Sequence, residues 1–188
     1  MYKTLAKENL SAFFDVLKSV GKVYGPVKVG DSTYDFREAD SLDEVELAYT
    51  RTMIPPKKFF VKPKETIFRF DEEKVEFKEP SNREVNVILG LHPCDINALK
   101  ILDRIYMDEI PDKYYIQRRE SSFIIGVSCT PDEYCFCKSM GTSYAQDGFD
   151  LFLHEISKGY LVRIGSEKGY KMVNDNKNLF EDAKPEDI

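Results

Sequence analysis

Two short apolar runs near the middle of the chain constrain the fold more than any other feature. Val85 to Leu89 is a β-branched run closed by Gly90, and Phe123 to Val127 is a second; both read as buried strands. Between them Ala98 to Met107 carries Leu99, Ile101, Leu102, Ile105 and Tyr106 at helical spacing, and Pro111 to Arg119 reads as another helix. Strand, loop, helix, strand is a βαβ-like arrangement, and open α/β sheets place ligands at the carboxyl ends of such strands. The expected fold class is therefore α/β or α+β, a mixed β-sheet with flanking helices.

Around this centre the pattern continues. Leu5 to Val20 holds Leu10, Phe13, Phe14 and Leu17 on one helical face with Gly21 placed to stop it, and Lys22 to Arg37 reads as a β-hairpin. Ser41 to Glu44 has the form of a capping box. After Pro55-Pro56, Lys58 to Val61 and Glu65 to Phe70 are expected to be extended, Asp71 to Lys74 to turn, and Val75 to Phe77 to form an edge segment before Pro80. Phe149 to Ile156 and Tyr160 to Ile164 flank Ser157-Lys158-Gly159 as a second hairpin. These readings place one α/β domain over residues 1–173, with the helix and first hairpin in 1–40. The stretch 174–188 reads as a polar tail that frays or forms a short helix.

The cysteines are confined to the same region. Cys94 follows the first central strand, Cys129 follows the second, and Cys135 and Cys137 complete the run CTPDEYCFC. Both cysteine loops should thus lie at the carboxyl ends of central strands. Four thiolates suit either structural zinc or a cubane iron–sulfur cluster. Zinc sites draw on paired C-x2–4-C knuckles, whereas here one pair has a single intervening residue and two cysteines are solitary; a larger centre fed from several loops accommodates that spacing better. A C-x-C pair without a C-x-x-C helix motif argues against a thiol–disulfide redox module.

Charge and motifs exclude other classes. The net charge is −6 with basic residues spread along the chain, which argues against nucleic acid as a partner. A short basic stretch, PPKK at 55–58 and KPK at 62–64, reads as a solvated edge or a place for an acidic partner. No apolar run reaches membrane-spanning length and the N-terminus lacks a secretory signal, so the expectation is a cytoplasmic protein with no membrane partner. There is no G-x-G-x-x-G, P-loop or G-x-S-x-G, and no catalytic residue set is implied. Near the cysteines, Asp95 reads as a helix cap and Arg118 and Arg119 as positive charges that would offset a cluster or pair at the surface. Tyr134 and Phe136 read as shielding or partner contacts, and His154 as a strand residue.

Three stretches resemble a known family: ILGLHPCDINALKILD at 88–103, RRESSFIIGVSC at 118–129, and CFCKSMGT followed by DGFDLFL. They are similar to the N-terminal domain of sulfhydrogenase beta subunits and of the anaerobic sulfite reductase A subunit, as is PPKKFFVKPKETIFRF at 55–70. The resemblance implies an iron–sulfur electron-transfer subunit whose family members continue into a ferredoxin-like segment with further clusters. This chain ends before such a segment, either as a stand-alone version or as a piece of a longer protein. His92 stands where the family leads one to expect an arginine.

The expected function is therefore an electron-transfer component of a hydrogenase-like or sulfite-reductase-like complex. One cluster, of the 4Fe-4S type, would be held by Cys94, Cys129, Cys135 and Cys137, with His92, Asp95 and Arg119 around it. Its partners would be other oxidoreductase subunits or a ferredoxin-like or flavoprotein carrier. The competing reading is a zinc-stabilised interaction domain without redox activity.

Overall fold

The computed structural model describes residues 1–67, 69–71, 76–78 and 84–187, with 69–71 and 76–78 described by their backbone alone. In chain order the elements are β1 (Tyr2–Ala6), α1 (Leu10–Val20), β2 (Lys22–Lys28), β3 (Tyr34–Glu38), β4 (Arg69–Asp71), β5 (Glu76–Lys78) and β6 (Asn86–Leu91). Then come α2 (Pro93–Met107), α3 (Lys113–Ser121), β7 (Phe123–Val127), β8 (Leu151–Ile156), β9 (Gly159–Ile164), α4 (Glu167–Asp175) and β10 (Phe180–Asp182). The described strands form an eight-stranded mixed sheet of order β10-β1-β9-β8-β7-β6-β2-β3, and β4 and β5 pair separately. The fold is the mixed α/β sheet with flanking helices that the sequence predicts.

The central pair is parallel, as a βαβ unit requires: Val87, Ile88 and Leu89 of β6 stand against Phe123, Ile124 and Ile125 of β7. All six side chains are buried, which explains why neither run alternates. At Gly90 the register slips so that Leu91 faces Gly126. Gly90 has φ +92°, and a Cβ there would press on Pro26 and Leu47, so the bulge needs glycine. Gly126 serves close packing: Phe152 of β8 and Ile96 of α2 occupy the space a Cβ would take.

The hairpins are as expected, β2 against β3 and β8 against β9. Ser41 and Glu44 close their capping box, with the Ser41 backbone N–H donating to the Glu44 carboxylate at 3.1 Å. Several boundaries differ. Leu5 and Ala6, expected to open the first helix, belong instead to strand β1, which lies between β9 and β10, both supplied from the far end of the chain. Lys58 to Val61 is not extended: Pro56–Phe59 is a 3-10 helix, whose first residue is a proline preset for a helical turn. The turn expected at 71–74 and the proline at 80 fall, apart from Asp71, outside the described residues, as does Val75.

The stretch from 174 is not a fraying tail. Phe180 opens β10, is 7% exposed, and packs edge-on against Phe13 of α1 at 5.5 Å between ring centres. Leu179 is buried beside it. The polar residues around them conceal this two-residue anchor. Phe180→Ala should therefore destabilise the domain by about 3 kcal/mol, the cost of deleting a buried aromatic ring, in urea unfolding followed by circular dichroism. A change within a few tenths of a kcal/mol would mean that the C-terminal stretch contributes nothing.

Candidate metal centre

The slip at Gly90 sends the chain from β6 directly into a helix. His92 is the N-cap of α2 and Pro93 its first residue, so Cys94 sits in the first helical turn rather than in a loop. The Ile96 backbone N–H donates to the His92 carbonyl at 3.1 Å, and the Asn97 side chain donates to the Pro93 carbonyl at 2.9 Å. Asp95 is within this turn and does not cap it in the expected sense; its carboxylate instead receives the His92 backbone N–H.

Cys129 emerges two residues beyond β7, beside the start of α2, because β6 and β7 are parallel neighbours. The following segment is a series of tight turns. Cys135 N–H donates to the Asp132 carbonyl at 3.1 Å and Thr142 N–H to the Cys137 carbonyl at 2.8 Å. Asn97 also donates to the Tyr144 carbonyl at 2.9 Å, which ties the end of the cysteine loop to the first turn of α2.

These connections bring Cys94, Cys129, Cys135 and Cys137 to the wall of one cavity of about 300 Å³. All four are free, half-buried thiols. Among the described residues no three His, Cys, Asp or Glu side chains are grouped as a ready-made site for a single metal ion. The thiols surround a space instead. The donor chemistry fits a thiolate-bound centre: four soft ligands, from three places in the sequence, face one cavity.

Burial and neighbouring charge favour the neutral thiol at Cys94 and Cys129. Burial pushes Cys94 up to about 12, and the Asp95 carboxylate, Cys129 and Cys137 push the same way. The helix N-terminus and the Asp95 backbone N–H favour the thiolate but are outweighed. Cys129 is raised by burial first, then by Cys137 and Cys135. A cation that binds here must expel protons.

The other wall is a strap, residues 49–52 with Pro55, to which the sequence offered no pointer. Tyr49 is buried, its hydroxyl donates to the Gly90 carbonyl at 2.8 Å, and its ring stacks on His92 with centres 4.1 Å apart. His92 is 5% exposed, its ring is hydrogen-bonded to the Tyr49 backbone, and its Nε2 has no partner. Arg51 pairs with Asp132 at 2.9 Å across the mouth. Phe136 and Tyr134 stand at the rim, 71% and 67% exposed.

Not every sequence candidate is here. Arg119 bonds Asp103 on α2 and the Gly148 carbonyl, and Arg118 bonds the Phe60 carbonyl and Glu65; neither lines the cavity. His154 lies on β8 against Phe152. The basic stretch is partly consumed in the fold, since Lys58 pairs with Asp35 at 2.7 Å. Among the described residues no helix is long and apolar enough to cross a membrane.

Over 187 residues, 100% of this chain and 55% of the relative, the sequence is 50% identical to the sulfhydrogenase 2 subunit beta of Pyrococcus furiosus. Over its whole length the chain is thus similar to a sulfhydrogenase beta subunit. It spans about half the length of that relative. No protein-family model and no solved structure matches it.

His92 and Asp95 have opposed pH responses. Burial holds His92 down, to about 4 from 6.5, so its contribution to stability is complete above pH 6.5 and is lost as pH falls towards 4. Burial holds Asp95 up, to about 6 from 3.8, so the folded state binds its proton first and gains stability over nearly the same fall. Each effect is worth up to about 3 kcal/mol, and they offset each other. Relative to wild type, metal-free Asp95→Asn should lose stability between pH 6.5 and 4, and His92→Phe should gain it. Parallel stability–pH curves for all three would refute these assignments.

Proposed function

We propose that the chain is the iron–sulfur electron-transfer domain of a hydrogenase-like oxidoreductase subunit. The observation that carries this reading is the convergence of four free thiols, from the ends of two parallel strands and one loop, on a single cavity. Cys94, Cys129, Cys135 and Cys137 would hold one cluster of the 4Fe-4S type. Such a cluster, when bound, supplies one-electron transfer. The relative's name, a subunit of a sulfhydrogenase, supports a place within a multi-subunit oxidoreductase. Partners are then other subunits, or a ferredoxin-like or flavoprotein carrier, in the cytoplasm. Tyr134 and Phe136 flank the mouth through which such a partner approaches.

The chain's own residues supply ligands, shielding and orientation. Tyr49 fixes the His92 ring by stacking and by its backbone, so His92 tunes the centre without completing its ligand set. The ligand spacing favours a polynuclear centre over zinc, because two of the cysteines are solitary and the third and fourth form a C-x-C pair rather than a zinc knuckle.

Anaerobic purification or reconstitution, followed by iron, sulfide and zinc analysis with visible absorption, tests this reading. Iron and sulfide should bind together with a broad thiolate-to-iron band. Replacing Cys94, Cys129 or Cys137 by Ser should remove most of that band. Stoichiometric zinc with no visible band would establish the structural-zinc alternative. His92→Ala should keep the iron and shift the reduction potential; complete iron loss with an intact circular dichroism spectrum would make His92 a ligand.

A further inference from the structure

We infer that Asn97 is a positioning residue for the cysteine centre: it holds the turn that carries Cys137 against the first turn of α2, which carries Cys94. This role rests on the proposed ligand set, and it explains how two ligands far apart in sequence are kept together by the chain itself.

An asparagine amide nitrogen has two hydrogens to donate, and here both are used. Asn97 Nδ2 donates to the Pro93 carbonyl at 2.9 Å, one turn back in α2 and next to Cys94, and to the Tyr144 carbonyl, also at 2.9 Å. The first bond fixes the amide relative to Cys94. The second leaves the helix for a segment 47 residues further along the chain.

That segment is closely joined to Cys137. Thr142 donates to the Cys137 carbonyl with its backbone N–H at 2.8 Å and with its hydroxyl at 3.3 Å, and the Met140 N–H and the Ser139 hydroxyl both return to the Phe136 carbonyl. Residues 136–142 thus form a closed turn, and Tyr144 stands at its exit. From the sheet side the exit is met by Arg163 of β9, which is 8% exposed, donates to the Tyr144 hydroxyl and the Ala145 carbonyl, and lies 4.7 Å from the Tyr144 ring centre. Of these links, Asn97 is the one that joins the exit to the turn of Cys94. Asp147 and Gly148 are held to α2 separately, by Lys100 at 2.5 Å and by packing on Ile96, so losing the Asn97 bond loosens the cysteine turn without detaching the segment from the helix.

Two-cysteine variants of the full chain separate this role from a general contribution to folding. One keeps Cys94 and Cys137, with Cys129→Ser and Cys135→Ser; the other keeps Cys135 and Cys137, with Cys94→Ser and Cys129→Ser. A short bifunctional thiol reagent is applied to the metal-free proteins, and each cross-linking rate is divided by the rate at which the same thiols take a monofunctional label. Asn97→Ser keeps a hydroxyl that can return to the Pro93 carbonyl but is too short for Tyr144, and it adds no charge. It should slow the Cys94–Cys137 cross-link about fivefold, as the loss of one hydrogen bond implies, and leave the Cys135–Cys137 cross-link unchanged. Asn97→Asp, which keeps the shape and removes both donors, should slow the first cross-link at least as much. Equal slowing of both pairs, slowing of neither, or a Cys94–Cys137 pair that does not cross-link with Asn97 in place overturns the inference. In the anaerobically reconstituted four-cysteine chain, Asn97→Ser should also speed iron release to a ferrous chelator about tenfold, and release at the wild-type rate would overturn the inference as well. A wild-type chain that binds no iron refutes the electron-transfer reading, while the metal-free cross-linking still decides the role of Asn97, so the two failures are distinguishable.

Discussion

The parallel pairing of β6 with β7 is the constraint on which the rest of the structure depends. Two strands buried on both faces must end at the same edge, so whatever follows each of them emerges side by side. Here the followers are His92-Pro93-Cys94 and Ser128-Cys129. Gly126 tightens the arrangement: with no Cβ on β7, Ile96 comes down against the strand and draws the first turn of α2 to the sheet. Cys94 is carried by that turn.

The strap at 49–52 depends on the same edge. The bulge at Gly90 exposes a carbonyl to the Tyr49 hydroxyl, and the His92 ring directly after it offers a face for Tyr49 to stack on. A residue far from the cysteines in sequence thereby becomes the partition between two spaces. On its other side a cavity of about 550 Å³ lies at the ends of β7 and β8, and Tyr49, Thr50, Cys129 and Thr130 belong to both walls. Cys129 is therefore the thiol that this second cavity meets.

The buried strands and the hairpins, and with them the delivery of Cys94 and Cys129 just after neighbouring strands, were legible because each strand is written locally. Val87-Ile88-Leu89, Phe123-Ile124-Ile125 and the second hairpin with its Ser157-Lys158-Gly159 turn declare themselves within a few residues. What was not legible depends on partners far away in the chain. Lys3-Thr4-Leu5 becomes a strand because Tyr160 to Val162 and Phe180 to Asp182 arrive on either side of it, and no window around residue 4 contains that information. Arg119 illustrates the opposite error: one helical turn before a cysteine-delivering strand it looked like a counter-charge, but its side chain turns back to Asp103. Tyr49 and Arg51 were missed because a lone tyrosine and arginine in a loop carry no spacing signal; only the fold gives them neighbours.

The protonation of the thiols follows from where this edge lies. A helix N-terminus ordinarily favours a thiolate, and Cys94 sits at one, yet burial, the Asp95 carboxylate and two neighbouring cysteines push its thiol the other way. The local dipole is the weaker influence because it acts from one side, whereas desolvation acts on the whole sulfur. Each thiolate formed would also raise the cost of forming the next, since Cys129 and Cys137 face Cys94 across the same space. Neutral thiols can share this cavity at little electrostatic cost, and four charged ones cannot without a cationic centre between them. Burial therefore disfavours a reactive single thiolate at Cys94 or Cys129, the opposite of what a nucleophilic cysteine requires.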